Sequence, residues 1–517
     1  YVRIIDFVIN DSDSDVFSLE LLSEEEKHQL LYEFNDTASD YPKGKTIHQL
    51  FEEQVSRTPD KAALVFGESE MTYRELNGRA NRLARALRGN GVQQGSIVGL
   101  MAERSFGMII GIIGILKAGG AYLPIAQDYP EGRKRFMLDD CDSEVLLTSR
   151  GVYRPFGYEG SVLFLEDDNA YAEDGSNLDG ISKPSDSAYV MYTSGTTGNP
   201  KGALISSYSI TRVVKSTNYI SLLADDRILQ LSNYAFDGSV FDIYGALLNG
   251  ATLILVSKDD LLNVDELGDT IDKERVTVFF ITTALFNALV DLRLESLGGV
   301  RKILFGGEQV SLVHAKKAFD YLGAGKIIHV YGPTESCVFS TYYPVDKIES
   351  TASTIPIGKP LANTKLFVLD KYKKLLPIGI PGELCISGDG LSTGYQKRDD
   401  LTRDKFIANP FLKGEKLYCS GDLVKWLPDG NIEFLGRIDQ QVKIRGFRIE
   451  LGETIAEQLA VEWSRRRMAP IEHALRTADE EKARPAQCPA CKRLFTERGL
   501  PMHLARAPRC ADRAAEP

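Results

Sequence analysis

Short apolar runs alternate with amphipathic helical patterns along residues 46–165 and again along 188–345. This alternation confines the chain to an α/β architecture with parallel sheets. In the first stretch "TIHQLFEEQVSRTP" reads as a helix stopped by Pro59, and "TYRELNGRANRLARALRGNG" as a helix stopped by Gly89 and Gly91. "AALVF" and "SIVGLM" are the strands between and after them. In the second stretch "AYVMY", "ATLILV", "VTVFFI", "RKILFGG" and "KIIHVYG" supply short strands. The polar, acidic residues 166–187 read as a surface loop. From about 355 to 450 the helical patterns stop. There "TKLFVLD", "GELCISG", "LYCSGDLVKW" and "NIEFLG" are joined by turns such as Pro428-Asp429-Gly430, the pattern of a β-rich subdomain.

Both ends differ from this body. Within residues 1–45 the stretch "LLSEEEKHQLLYEF" carries Ser23 and Glu26 at capping-box spacing, so the segment reads as a linker followed by a docking helix. After Glu453 lysine nearly disappears: residues 454–517 hold ten arginines and two lysines amid Ala and Pro, which marks a boundary. The chain opens on Tyr1 with no cationic start and apolar core behind it, so it reads as a piece of something longer with no signal peptide. The most apolar run, Phe106 to Leu116, is too short for a bilayer and reads as a buried helix. A net charge of −11 argues against a general nucleic-acid binder. Cys141, Cys337, Cys385 and Cys419 are scattered, as in a reduced cytoplasmic protein rather than a disulfide framework.

The string "YTSGTTGNPKG" (192–202) follows the apolar run "AYVMY". Gly195 and Gly198 free backbone N–H groups to face phosphate oxygens, Thr193, Ser194, Thr196 and Thr197 add hydroxyl donors, and Lys201 adds charge. Gly/Thr content alone suits a flexible surface loop equally well; the ordered S-G-T-T-G-x-P-K-G string is far more specific.

That string is similar to the phosphate loop of adenylate-forming enzymes: acyl-CoA synthetases, luciferases and the adenylation domains of nonribosomal peptide synthetases. "MTYRELNGRANRLARAL" (71–87), "ILKAGGAYLPI" (115–125), "YGPTE" (331–335), "GELCISGDGLSTGY" (382–395), "YCSGDLVKW" (418–426) and "GRIDQQVKIRGFRIELGE" (436–453) occur in that family's order and spacing. Together they cover about residues 20–453. "QVKIRGFRIELGE" and "LKAGGAYLPI" resemble peptide synthetases more than acyl-CoA ligases. The resemblance implies an α/β fold with an adenylation core over 46–439, made of two parallel α/β sheet subdomains and a β-barrel-like subdomain. The start of a truncated C-terminal lobe follows over 440–453, then an unrelated tail over 454–517.

The resemblance also implies roles. Tyr331 stacks on adenine, while Gly332, Thr334 and Glu335 lie by the α-phosphate of ATP; Thr193, Thr334 and Glu335 are the groups at the reacting centre. A carboxylate beside phosphate needs a cation between them, so Glu335 implies Mg²⁺. His329 stands where the family often has an Asn on adenine, with a core histidine as the alternative. Asp422 takes both ribose hydroxyls, or else caps a turn. Phe434 and Arg437 complete the nucleotide shell, with Arg437 placed to neutralise phosphate. Gly306, Gly307 and Glu308 let the backbone approach the nucleotide. Asp237 lies among apolar residues and should have a cationic partner, because an unpaired buried carboxylate is costly. In the family that partner is the substrate's α-ammonium; the alternative is a cap on the following helix. Asp439 matches the hinge residue.

Gly238, Phe241, Phe280, Leu304, Gly306, Val330, Val338 and Phe339 match the family's side-chain pocket, and all are apolar. They imply an aliphatic amino acid, isoleucine first and then valine or leucine, with discrimination of only about 1–3 kcal/mol per methylene. The implied reaction forms aminoacyl-AMP and pyrophosphate, then loads the phosphopantetheine of a peptidyl-carrier domain that works beside condensation domains. Family chains carry a catalytic lysine in a Gly-Lys beyond "ELGE". Only Lys482 and Lys492 follow here, neither after glycine, so no residue takes that role and adenylation is expected to be slow or absent. Ala126-Gln127 and Cys419-Ser420 also depart from the family's usual Asp-Pro and Arg-Thr. In the tail Cys488, Cys491, His503 and Cys510 give C-x₂-C-x₁₁-H-x₆-C, similar to small CCHC fingers, and imply Zn²⁺ within 486–512. A disordered tail with incidental cysteines is the alternative. Two rival functions stand: an acyl-CoA or D-alanine–carrier ligase, and a non-catalytic protein that binds through its finger.

Overall fold

The protein is described here by a computed structural model that covers residues 22–194, 200–348 and 354–438. It adds the backbone of the short strands Val442–Ile444, Phe447–Ile449, Ala486–Gln487 and Leu494–Phe495. Both stretches of alternating pattern form sheets. The first sheet runs Ser161–Phe164, Val145–Thr148, Ile97–Met101, Ala121–Pro124, β1 (Ser187–Thr193) and β2 (Lys201–Ser206). Its strands are parallel except for β1 and β2, which pair antiparallel with Thr193 opposite Lys201. The glycine-rich string therefore joins the two arms of a hairpin.

The second sheet runs Ser69–Thr72, Ala62–Phe66, Thr252–Leu255, Arg227–Gln230, β3 (Val278–Thr282), β4 (Lys302–Gly306), β5 (Ile327–Tyr331), Thr341–Pro344 and Lys359–Pro360. It is parallel at its centre and antiparallel at both edges. Helices α1 (Tyr73–Gly89) and α2 (Phe106–Ala118) lie with one core that takes residues from both sheets, among them Val98, Tyr122, Ile228 and Leu253. That shared layer explains the apolar run: α2 is buried from Met108 to Ala118. Its approach to α1 needs Gly114, where a Cβ would stand 2.8 Å from Leu83 Cδ2. Helix α3 (Gly238–Leu247) is buried along its whole length in the same layer.

The β-rich part is an antiparallel sheet of Thr364–Leu369, β6 (Gly382–Gly388), β7 (Lys416–Trp426) and Phe406–Ala408, with β8 (Ile432–Arg437) also on β7. One short helix, Asp399–Lys405, interrupts the expected run of strands. The leading helix starts where its sequence indicates: the Ser23 hydroxyl accepts from Glu26 N at 2.9 Å. The expected capping box does not close, because the Glu26 carboxylate instead accepts from Ile378 N and ties the helix to the β-rich part. No helix among the described residues is long and apolar enough to cross a membrane.

Candidate active site

Strands β3, β4 and β5 end side by side. Their register pairs Phe280 with Leu304 and Gly306 with Val330, and the two-residue period of a strand puts these four on one face. Phe339 closes on them, its ring 5.1 Å from Phe280 and 5.8 Å from Phe241 on α3. Gly238, the first residue of α3, lies so close that a Cβ would meet the Phe280 ring at 2.7 Å. Val338 joins this cluster through an unusual turn. Cys337 and Val338 have φ of 52° and 63°, a left-handed conformation that is rare for any side chain and strained for a β-branched one. All eight expected pocket residues are thus drawn together. Tyr219 belongs with them and was missed: its ring is 6.4 Å from Phe241 and 6.0 Å from Phe339, and its hydroxyl donates to Val213 O. No local motif flags it.

Gly306 has a stricter reason to be glycine. A Cβ there would stand 2.0 Å from the Val330 carbonyl oxygen, and backbone cannot step aside as a side chain can. Gly306→Ala is expected to destabilise by at least the ~1–3 kcal/mol typical of overpacking, read as a lowered urea midpoint with unchanged slope.

Asp237 occupies the N-cap position of α3, yet its side chain makes no capping bond. Its carboxylate instead accepts from the Thr334 hydroxyl at 2.6 Å. The helix-cap alternative is set aside on that geometry. Asp237 is half-buried, so water lightens the penalty expected of a buried carboxylate.

Glu335 is fully buried. Its Oε1 accepts from the Tyr395 hydroxyl at 2.7 Å, and the Lys201 ammonium stands 3.6 Å away, over the Tyr395 ring. Tyr395 ends the string "GELCISGDGLSTGY", which carries the family likeness but gave no hint of this contact. Lys201 is thereby held between the hairpin and Glu335. At the hairpin's other arm Thr193 Oγ1 is buried and has no hydrogen-bond partner among the described residues. Ser194 is buried beside it; Gly195, Thr196, Thr197 and Gly198 lie outside the described residues.

Asp422 stands on β7 opposite Arg437 of β8. Arg437 Nη1 donates to Asp422 Oδ1 at 2.8 Å and to Ser420 O at 2.9 Å, while the Tyr331 hydroxyl donates to Asp422 Oδ2. The Arg437 guanidinium thus holds Asp422 in place. Phe434 lies 6.4 Å from the Tyr331 ring. His329 takes the core alternative. Its Nδ1–H donates to Pro356 O at 2.8 Å, its ring stacks on Phe305, and burial pushes its pKa down to about 4, so it is neutral. Gly307 is exposed with φ of 89°, Glu308 follows it half-buried, and Gly332 is pressed against the Val338 carbonyl. Asp439 and the tail's Cys488, Cys491, His503 and Cys510 lie outside the described residues.

An orphaned buried hydroxyl at a glycine hairpin beside a lysine suits a phosphate chain. A carboxylate next to that lysine suits Mg²⁺, which takes one or two carboxylates and completes its shell with water and phosphate oxygens. Two α/β sheets that share a core, an antiparallel third, and a buried lysine–carboxylate pair beside a glycine-rich string fit an enzyme that binds a nucleotide. Residues 51–396 match the AMP-binding enzyme family, and the chain belongs to it. Within that family it falls with the adenylation domains of nonribosomal peptide synthetases. It is 56% identical over 452 residues to bacitracin synthase 1 of Bacillus licheniformis, which covers 87% of this chain and 9% of that protein. The chain thus spans less than a tenth of that relative's length. It is also similar to the crystal structure of the nonribosomal peptide synthetase FmoA3, with a TM-score of 0.78 and 30% identity over 84% of this chain and 48% of that one. The N-terminal subdomain of Klebsiella oxytoca NpsA aligns along 100% of its length and 76% of this chain, with a TM-score of 0.70 and 28% identity.

Proposed function

We propose that this chain selects an aliphatic amino acid, isoleucine foremost, and joins it to AMP for transfer to a carrier-domain phosphopantetheine. The observation that carries the reading is Asp237. It is a carboxylate at the edge of an apolar cluster, tied to Thr334 and engaged in no helix cap. An α-ammonium is the group such a carboxylate would hold, and Phe241, Phe280, Leu304, Val330, Val338 and Phe339 offer a side chain no hydrogen bond.

In this reading the substrate carboxylate oxygen attacks the α-phosphorus of ATP. A new P–O bond forms, the bond to the bridging oxygen breaks, and pyrophosphate leaves. Asp237 fixes the amine end, and Tyr331, Phe434 and the Arg437-clamped Asp422 fix the nucleoside. Thr193, the hairpin and Lys201 hold the β- and γ-phosphates. Positioning and charge neutralisation are the protein's contribution. Mg²⁺ held by Glu335 and the phosphates would neutralise charge on the triphosphate. Carrier and condensation domains are the proposed partners.

Residues 454–517 supply no Gly-Lys, so the chain should bind ATP and isoleucine but form adenylate slowly. Amino-acid-dependent pyrophosphate exchange tests both halves. Exchange with isoleucine, weak and leaking to valine, is the expected result. Exchange driven only by an aryl or fatty acid would sink the amino-acid reading, and robust turnover would sink the lysine argument. Zinc in the tail is a further part of the proposal. It is supported by the antiparallel pairing of Ala486–Gln487 with Leu494–Phe495, which brackets Cys488 and Cys491. Elemental analysis should find one zinc per chain.

A further inference from the structure

Two thiols in the β-rich part are used by neither substrate. Cys385 on β6 and Cys419 on β7 are direct partners in the antiparallel register. Their sulfurs lie 3.7 Å apart, Cys385 donating to Cys419. Cys385 is 0% exposed and Cys419 5%. Phe367, Leu369 and Leu417 pack with them in one apolar cluster, and the partly buried Lys373–Glu383 ion pair is a neighbour. The hydrogen bond from Cys385, with the Lys373 ammonium adding to it, pulls the Cys419 thiol down to about 7, while Cys385 is pushed up. Cys419 is therefore the thiol of the pair that ionises more readily. Glu383, Cys385 and Cys419 place three metal-type donor atoms within 4.8 Å of one another. The Glu383 carboxylate is engaged by the Lys373 ammonium, which donates to its Oε2 at 2.5 Å, and its Oε1 accepts from Gly421 N.

The pair is coupled to the nucleotide carboxylate by a bulge. Cys385 pairs with Cys419 and Glu383 with Leu423, so residues 420–422 oppose Leu384 alone. The bulge is pinned by Ser420 Oγ donating to Leu384 O, Gly421 N to Glu383 Oε1, and Asp422 N to Ser420 Oγ. Asp422 is thus aimed from a turn that begins at Cys419.

We propose that Cys385 and Cys419 form a peroxide-sensitive pair whose cross-strand disulfide moves Asp422 and weakens ATP binding. The Cys419 thiolate attacks one oxygen of hydrogen peroxide: an S–O bond forms, the O–O bond breaks, and hydroxide leaves to be protonated to water. The Cys385 thiol then attacks the sulfenic sulfur: an S–S bond forms, the S–O bond breaks, and a second water leaves with the thiol proton. Both sulfurs are oxidised and the peroxide is reduced to two waters. The disulfide draws the sulfurs from 3.7 Å to about 2 Å, and the root of the bulge moves with them.

The effect on ATP rests on the reading of Asp422 as the ribose carboxylate; the linkage itself does not. The full chain is treated with hydrogen peroxide, its free thiols are alkylated, and it is digested without reduction for mass spectrometry. A peptide joining Cys385 to Cys419 is expected, reversed by dithiothreitol. In parallel, calorimetric ATP affinity should fall roughly tenfold on oxidation, about 1.4 kcal/mol, and recover on reduction. Cys385→Ser and Cys419→Ser should each bind ATP like the reduced parent and lose the response. Both thiols remaining alkylatable, or Cys419 over-oxidised without a link, would overturn the pair. Tight zinc that depends on both cysteines would overturn it in favour of a metal site. A link with unchanged ATP affinity would overturn the coupling. A linked chain whose reduced form binds no ATP would count against the Asp422 reading and leave the thiol pair standing.

Discussion

Asp237→Ala is expected to remove measurable isoleucine binding while leaving ATP binding and the fold in place. Truncating one member of a buried, hydrogen-bonded charge pair costs about 2–5 kcal/mol, which is roughly 30-fold to several thousand-fold in affinity. The fold should barely notice. The Asp237 side chain makes no capping bond, and the Thr334 hydroxyl's loss of its acceptor costs about 1 kcal/mol. Calorimetry with isoleucine, run with and without ATP, separates the two effects. A variant that still binds isoleucine as the parent does would sink the ammonium assignment. A variant that unfolds would instead mean that the carboxylate supports the β5 turn. Asp237→Asn adds a finer reading: it keeps a hydrogen-bond acceptor for Thr334 and removes only the charge, so it should lose nearly as much isoleucine affinity with still less cost to stability.

The architecture was open to sequence reading wherever periodicity and burial agree. The apolar run from Phe106 is α2 because that helix lies between two sheets and needs no polar face. The hairpin character of the phosphate loop was not open in the same way. Nothing local says that the strand after the glycines turns back antiparallel on β1, since that depends on tertiary pairing of Thr193 with Lys201. Motifs located Asp237, Glu335 and Asp422 but could not choose between a cap and a ligand contact for Asp237 and Asp422, because both need the same residue type. For Asp237 the Thr334 contact removes the helix-cap alternative, and the contacts of Lys201 and Tyr395 with Glu335 and of Arg437 with Asp422 had no sign in the sequence. Tyr219 and the left-handed Val338 left no pattern in the sequence, because each is set by the packing of distant segments.

Glu335→Ala should be the most damaging single change in the described site, because it acts on stability and ligand binding together. Lys201 is 5% exposed and Glu335 0%, so removing the carboxylate takes the counter-charge at 3.6 Å from a buried ammonium. Breaking a buried ion pair from one side costs about 3–5 kcal/mol, a large share of a typical domain's 5–15 kcal/mol. Tyr395 loses its acceptor as well. Glu335→Gln keeps the shape and an acceptor for Tyr395 but removes the charge, so its urea midpoint should fall between those of the parent and Glu335→Ala. Lys201→Met combined with Glu335→Ala leaves no stranded charge and should recover part of the lost stability. That recovery must not extend to ATP. The double variant lacks both the hairpin's ammonium and the carboxylate proposed to hold Mg²⁺, so calorimetry with Mg–ATP should show no binding in a chain that is folded again. If Glu335→Ala alone melts like the parent, Lys201 reaches water more easily than its burial indicates. If the double variant still binds Mg–ATP, the phosphates are held elsewhere, and the hairpin would lose the role assigned to it.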